Sequence, residues 1–175
     1  MHRISGFTLL ELLVILSILG IMMAIAAPSF LKFFAGQKSD VARDALTQSI
    51  QEAQIKAQQN NATWQFSVRE NGNIVEVSVH PSSVLASASA WRSLDKSVQL
   101  DEETTFLNSG HVYYVRFDEK GNVRRSRLGR VTISSKQFPE IKRCVIVSTL
   151  LGATRVAKEQ STPDPNYSVR DRFCY

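Results

Sequence analysis

Residues 7 to 27 hold twenty-one positions with one charge among them, Glu11. About 20 consecutive apolar residues cross the hydrocarbon core of a bilayer, so the pattern predicts a membrane-spanning helix. From residue 37 the pattern changes to an amphipathic one. Ala42, Leu46, Ile50, Ala53 and Ala57 recur at spacings of three or four and make one face, while Asp40, Arg43, Asp44, Gln48 and Lys56 lie largely elsewhere. Pro28 lacks a backbone donor and is expected to kink the helix, Gly36 to loosen it, and Asn60-Asn61 to stop it. Fifty-odd helical residues make a rod of about 80 Å.

Beyond residue 61 the period becomes two. Trp64, Phe66 and Val68 alternate with Gln65, Ser67 and Arg69, and Val75, Val77 and Val79 alternate with Glu76, Ser78 and His80. Asn71-Gly72 stands between the two runs, a strong short-range hairpin signal. Residues 112 to 117, 123 to 125, 131 to 133, 144 to 149 and 155 to 157 read as further strands. Residues 81 to 110 predict an irregular connection or a short helix, and residues 159 to 171 an exposed tail. The fold class is α+β, a long N-terminal helix packed on an antiparallel β head.

Overall composition is that of an ordinary globular protein, so the concentration of apolar residues at the start is what carries information. Two cysteines, Cys144 and Cys174, in a chain that leaves the cytoplasm suggest a disulfide; two separate thiols are the alternative. The net charge of +5 is uneven: residues 116 to 158 carry eleven Lys/Arg against three acids. That asymmetry attracts polyanions, or acidic neighbours and anionic surfaces, or simply keeps the head soluble. Arg124, Arg125, Arg127 and Arg130 fall within seven residues, followed by Lys142, Arg143 and Arg155. Were 123 to 127 a strand, Arg125 and Arg127 would share one face and Arg124 the other.

Nothing along the chain reads as an active site, a cofactor site or a metal site. His80 and His111 have no metal-ligand spacing and read as surface or sheet-edge residues. No serine sits in a Gly-x-Ser-x-Gly elbow, and no glycine-rich loop joins a strand to a helix. Asp101, Glu102 and Glu103 read as a solvated loop. Tyr113, Tyr114 and Phe117 are expected to pack against the helix with Trp64 and Phe66.

The first thirty residues fit a plain anchor, or a secretory signal with Arg3 as its basic end and Ala24-Ile25-Ala26 as its cleavage site. Neither gives Glu11 a purpose. The run Met-His-Arg-Ile-Ser, then Gly6, then Phe7-Thr8-Leu9-Leu10-Glu11 resembles the type IV prepilin signal of pilins and type II secretion pseudopilins. The resemblance implies cleavage between Gly6 and Phe7 by a prepilin peptidase, N-methylation of Phe7, and assembly roles for Glu11 and Pro28. An acid inside a membrane segment marks a functional site by default. Here the amine of a neighbour's processed Phe7 would be its partner.

The layout of helix and meanders, with Cys144-Val-Ile-Val-Ser-Thr and a glycine after it, resembles the GspH/FimT-like minor pilins and pseudopilins. On that resemblance residues 1–6 are a leader, 7–35 the transmembrane and assembly half of the helix, and 36–61 its amphipathic half. Residues 62–158 are the β-rich head, and 159–175 a tail pinned by Cys144–Cys174. The implied partners are other pilins or pseudopilins and an inner-membrane assembly platform. The implied location is the inner membrane, single-pass, with the head in the periplasm, and then the pilus or pseudopilus. Some FimT-like members bind DNA through a Gly-Arg-x-Arg element. The matching place here is Gly152-Ala153-Thr154-Arg155, which keeps the second arginine and lacks the first. DNA is therefore a further expected partner, through Arg155 with Arg124, Arg125, Arg127, Arg130, Lys142 and Arg143.

Overall fold

The computed structural model describes residues 8–124, 128–163 and 173–175. The described chain forms two compact units, with the boundary between Phe34 and Ala35. One α-helix, α1 (Leu9–Gln59), runs through the boundary. Thr8 caps its start: its carbonyl accepts the Leu12 N–H at 3.1 Å and its hydroxyl the Glu11 N–H at 3.2 Å. Pro28 lies inside α1, which remains helical across it. The stop at Asn60-Asn61 is a Schellman motif. Asn61 takes φ 45°, its N–H reaches the Gln58 carbonyl, and the Ala62 N–H reaches the Ala57 carbonyl.

Within the second unit, α1 buries Ala42, Leu46, Ile50, Ala53 and Ala57, the five positions that the 3.6-residue period selects, together with Ala35, Ser39 and Ser49. The strands are β1 (Trp64–Asn71), β2 (Ile74–Pro81), β3 (Arg92–Ser93), β4 (Val98–Leu100), β5 (Leu107–Ser109), β6 (Val112–Phe117), β7 (Gly129–Ser135), β8 (Lys142–Val147) and β9 (Thr154–Lys158). They form two antiparallel sheets, ordered β3-β2-β1-β6-β5 and β4-β7-β8-β9. The α+β expectation is met: one long apolar N-terminal helix is followed by antiparallel sheets.

The β1–β2 register pairs Asn71 with Ile74 and leaves Gly72-Asn73 as a two-residue loop. Gly72 takes φ +64°, the sign a type II′ turn needs at its first central position. One apolar core collects the α1 stripe, Phe66 and Val68 of β1, Val75 and Val77 of β2, Val115 and Phe117 of β6, Val131 and Ile133 of β7, and Val145 and Val147 of β8. Phe66 meets Phe106 edge to face at 6.3 Å. Trp64 and Tyr113 flank this core. Tyr114 belongs to the opposite face of its strand, where the Arg116 guanidinium lies 4.7 Å from its ring.

Several sequence expectations change. β8 begins at Lys142 rather than Cys144, because the charged side chains at its start have partners inside the head. Of the strand expected at 123 to 125, Val123 forms a single bridge to Phe117, and Arg125 lies outside the described residues. The stretch 81 to 110 contains a 3-10 turn (Ala86–Ala88) but also β3, β4 and β5, each too short to show a period.

His80 is not a surface residue: it is 4% exposed, near the end of β2 and beyond the two residues that β3 covers. The Pro81 carbonyl, 3.0 Å from Nδ1, can only accept. In the neutral ring Nδ1 therefore donates there, and Nε2 accepts from Ser67 Oγ at 3.1 Å. Gln65 extends this buried chain, donating to Ser67 at 2.8 Å and accepting from Arg116 Nε at 2.7 Å.

Cys144 and Cys174 form a disulfide, with Cα atoms 6.1 Å apart and a sequence separation of 30. Closing a loop of that length is worth about 3–4 kcal/mol in the chain-entropy account. Replacing both cysteines by serine is expected to lower unfolding stability by about that amount. Urea titration of the detergent-solubilised chain, read by tryptophan fluorescence, checks it; an unchanged midpoint would mean the clasp around Cys174 suffices without the bond.

Candidate assembly segment and charged surface

Two candidate regions need placing: the apolar N-terminal segment and the basic run of the head. Along α1 from Leu9 to Phe34 nearly every apolar side chain is exposed. Leu9, Leu13, Leu16, Ile18, Ile21, Met23, Ile25, Phe30 and Phe33 all stand more than half exposed. This part of the helix is long and apolar enough to cross a membrane. It fits membrane anchoring, because such a surface is stable only against lipid or other apolar helices.

Glu11 is exposed in the first turn, three residues after its cap Thr8. Thr-x-x-Glu at a helix start is the capping-box pattern, which the sequence reading missed while asking what the acid does in the membrane. A negative charge there also opposes the partial positive charge of the helix N-terminus. Gly6 and Phe7 lie outside the described residues.

The described basic residues do not form one patch. Arg143 is 8% exposed; its Nε donates to Asp40 of α1 at 2.7 Å, and its Nη1 to Glu159. Lys142 donates to Glu103 at 2.8 Å and to Asp101 at 3.1 Å. Arg130 is 6% exposed and donates to the Cys174 carbonyl. Arg124 is exposed and donates to Thr63 Oγ1 at 2.8 Å. Arg155 is exposed on β9. Arg125 and Arg127 lie outside the described residues. Three of the seven cations thus serve internal contacts, and Arg155 and Arg124 are the described ones left at the surface.

What sequence reasoning overlooked is Glu103. Read as part of a solvated loop, it is 6% exposed and organises the C-terminal clasp. Its two carboxylate oxygens accept the Phe173 N–H at 3.2 and 3.1 Å, the Cys174 N–H at 3.1 Å and the Lys142 ammonium at 2.8 Å. A buried carboxylate is tolerated only with such a full set of partners. Burial pushes the Lys142 ammonium down, but its hydrogen bonds to Glu103 and Asp101 outweigh that and raise it above the ordinary 10.5. The same balance holds Arg143 above its ordinary value: burial opposes its charge, and Asp40 and Glu159 favour it.

Asp40 moves the other way. Burial raises its carboxyl, but the hydrogen bond from Arg143 and the charges of Arg143, Arg43 and Lys158 bring it below the ordinary 3.8. A carboxyl lowered on folding contributes stability above its unfolded value, and that contribution fades as pH falls through the folded one. Asp40→Asn is therefore expected to lower stability at neutral pH, and its difference from the unsubstituted chain to shrink as pH drops below 3.8. Urea midpoints across that window check this; a pH-independent difference would assign the loss to packing.

The family described as the prokaryotic N-terminal methylation motif matches residues 1–27. No curated protein and no solved structure matches the chain. The matched residues include Gly6, Phe7 and Glu11, and they are followed by the apolar helix and antiparallel sheets described above. The motif therefore supports a type IV pilin-like protein that a prepilin peptidase processes and that assembles with other pilins.

Proposed function

We propose that the chain is a minor pilin or pseudopilin of the GspH/FimT-like kind, cut between Gly6 and Phe7 and assembled into a filament through residues 7 to 35. The head stands in the periplasm before assembly, and the inner-membrane platform inserts the subunit. The observation that carries the reading is an exposed apolar segment of α1, Leu9 to Phe34, with one acid, Glu11, inside a methylation motif.

Transfer of that helix among other apolar helices removes its leucines and isoleucines from lipid without changing their solvation much. The hydrophobic effect alone therefore gives little register. A buried carboxylate does give register, because it is strongly penalised unless it meets a cation. The ammonium of a neighbour's Phe7 is that cation. Pro28 supplies a point of altered geometry, since the Ala24 carbonyl has no N–H to accept four residues on.

Glu11→Ala and Glu11→Gln are expected to be processed normally and to be largely missing from sheared filaments. Immunoblots of membrane and filament fractions check this, and normal incorporation of either variant would refute the pairing.

A second reading, capture of DNA by the head, has Arg155 in its favour: it is exposed on β9, at the place of the second arginine of the Gly-Arg-x-Arg element. Each phosphate contact contributes about −0.9 to the slope of log affinity against log salt. If Arg155 makes one, Arg155→Ala flattens that slope by about 1 in duplex titrations of the full chain in detergent. No measurable binding at low salt would leave assembly as the whole function.

A further inference from the structure

From Leu12 to Leu31 α1 carries no charge; Glu11 stands just before that run and Lys32 just after it. The helix is continuous between them. Twenty-one residues at the α-helical rise set the two charges about 32 Å apart along it. The hydrocarbon core of a bilayer is about 30 Å thick, so one membrane thickness fits between the acid and the lysine. The exposed apolar stretch as a whole, Leu9 to Phe34, is about 39 Å long. Sinking all of it would exceed the hydrocarbon by nearly two turns and carry both charges inside, where each is costly.

The run between the charges suits lipid. Its large apolar side chains are exposed. Ser17 donates its hydroxyl to the Leu13 carbonyl at 2.8 Å, so it asks nothing of its surroundings. Ser29, the other hydroxyl of the run, lies three residues from Lys32, close to the boundary.

Beyond Lys32 the first unit ends in Phe33 and Phe34, both exposed, with their rings edge to face at 5.9 Å. Lys32 is exposed as well. A lysine at the end of a spanning helix lays its stem along the apolar surface and keeps its ammonium among the headgroups. Each headgroup layer adds about 5–7 Å to the hydrocarbon. Phe33 and Phe34 lie about 2–3 Å past Lys32 along the axis, so both fall within that layer.

We propose that Lys32, Phe33 and Phe34 form a phospholipid-headgroup site on the periplasmic side, in which Lys32 Nζ donates to lipid phosphate and the two rings fill the layer beside it. Lys32 thereby sets the depth of the helix, and the hydrocarbon runs from there to Glu11. The proposal rests on the membrane-anchored filament reading and deepens it. In the membrane Glu11 stands at the far boundary, within reach of water, and it loses that contact on entering a filament. The penalty that gives register therefore acts during assembly and not in the bilayer.

The test adds one cysteine at a time to the full chain, with the native pair left oxidised: Phe30→Cys, Phe33→Cys or Gln37→Cys. Each chain is placed in vesicles of phosphatidylethanolamine and phosphatidylglycerol and treated with a charged maleimide. Gln37→Cys and Phe33→Cys are expected to react, and Phe30→Cys to react about tenfold more slowly than Phe33→Cys. Lys32→Leu extends the uncharged run to Gln37, so it is expected to slow Phe33→Cys to the rate of Phe30→Cys; Lys32→Arg keeps it fast. Equal rates at positions 30 and 33 overturn the site, as does a Phe33→Cys rate indifferent to Lys32→Leu. The vesicles hold no other pilin, so the labelling does not depend on assembly. The expected labelling from a chain that never enters filaments in cells overturns the assembly reading alone. Normal filament entry with equal rates at positions 30 and 33 overturns the headgroup site alone.

Discussion

Both sheets of the head rest on one apolar stripe of one helix. Leu46 and Ile50 supply most of its volume, and Ala42, Ala53 and Ala57 let strands approach closely on either side. Each sheet has short members: of the nine described strands, β3, β4 and β5 are two or three residues long. Truncating a leucine or isoleucine at such a site typically costs about 2–5 kcal/mol, a large share of a domain's net stability. Here the loss would be felt by both sheets at once.

Around that core, ion pairs and not apolar contacts fix where the periphery attaches. Arg143 ties β8 to Asp40 of α1 and to Glu159 beyond β9. Lys142 on the other face of the same strand ties it to Asp101 and Glu103. Adjacent residues of one strand thus point cations to opposite faces, and each face uses its cation to hold a different segment. Because these groups are largely buried, removing a single partner would leave a charge without compensation.

The long periodic elements were legible in the sequence for plain reasons. The stripe of α1 repeats over four turns, and β1 and β2 alternate apolar with polar residues along their length. β3, β4 and β5 were not legible, since two or three residues define no period. Arg130, Lys142 and Arg143 were misread as surface charges because charge was summed along the chain. The acids that neutralise Arg143 and Lys142 lie 103, 41, 39 and 16 residues away in sequence. No window of neighbouring residues contains them. The cap at Thr8 was legible, as Thr-x-x-Glu, and was hidden only by the more conspicuous fact of an acid among leucines.

The separation of Asp40 from Arg143 also bears on how the head is made. The helical stripe is synthesised first, and the strands that cover it come much later; Arg143 follows its partner by 103 residues. Contacts so distant in sequence are slow to form, because the loop between them must be closed before they stabilise anything. Until β7 and β8 arrive, Leu46 and Ile50 have only β1, β2 and β6 against them. The half-covered helix is an aggregation-prone intermediate by construction. Folding of the head is therefore a late event, set by contacts between residues far apart in sequence.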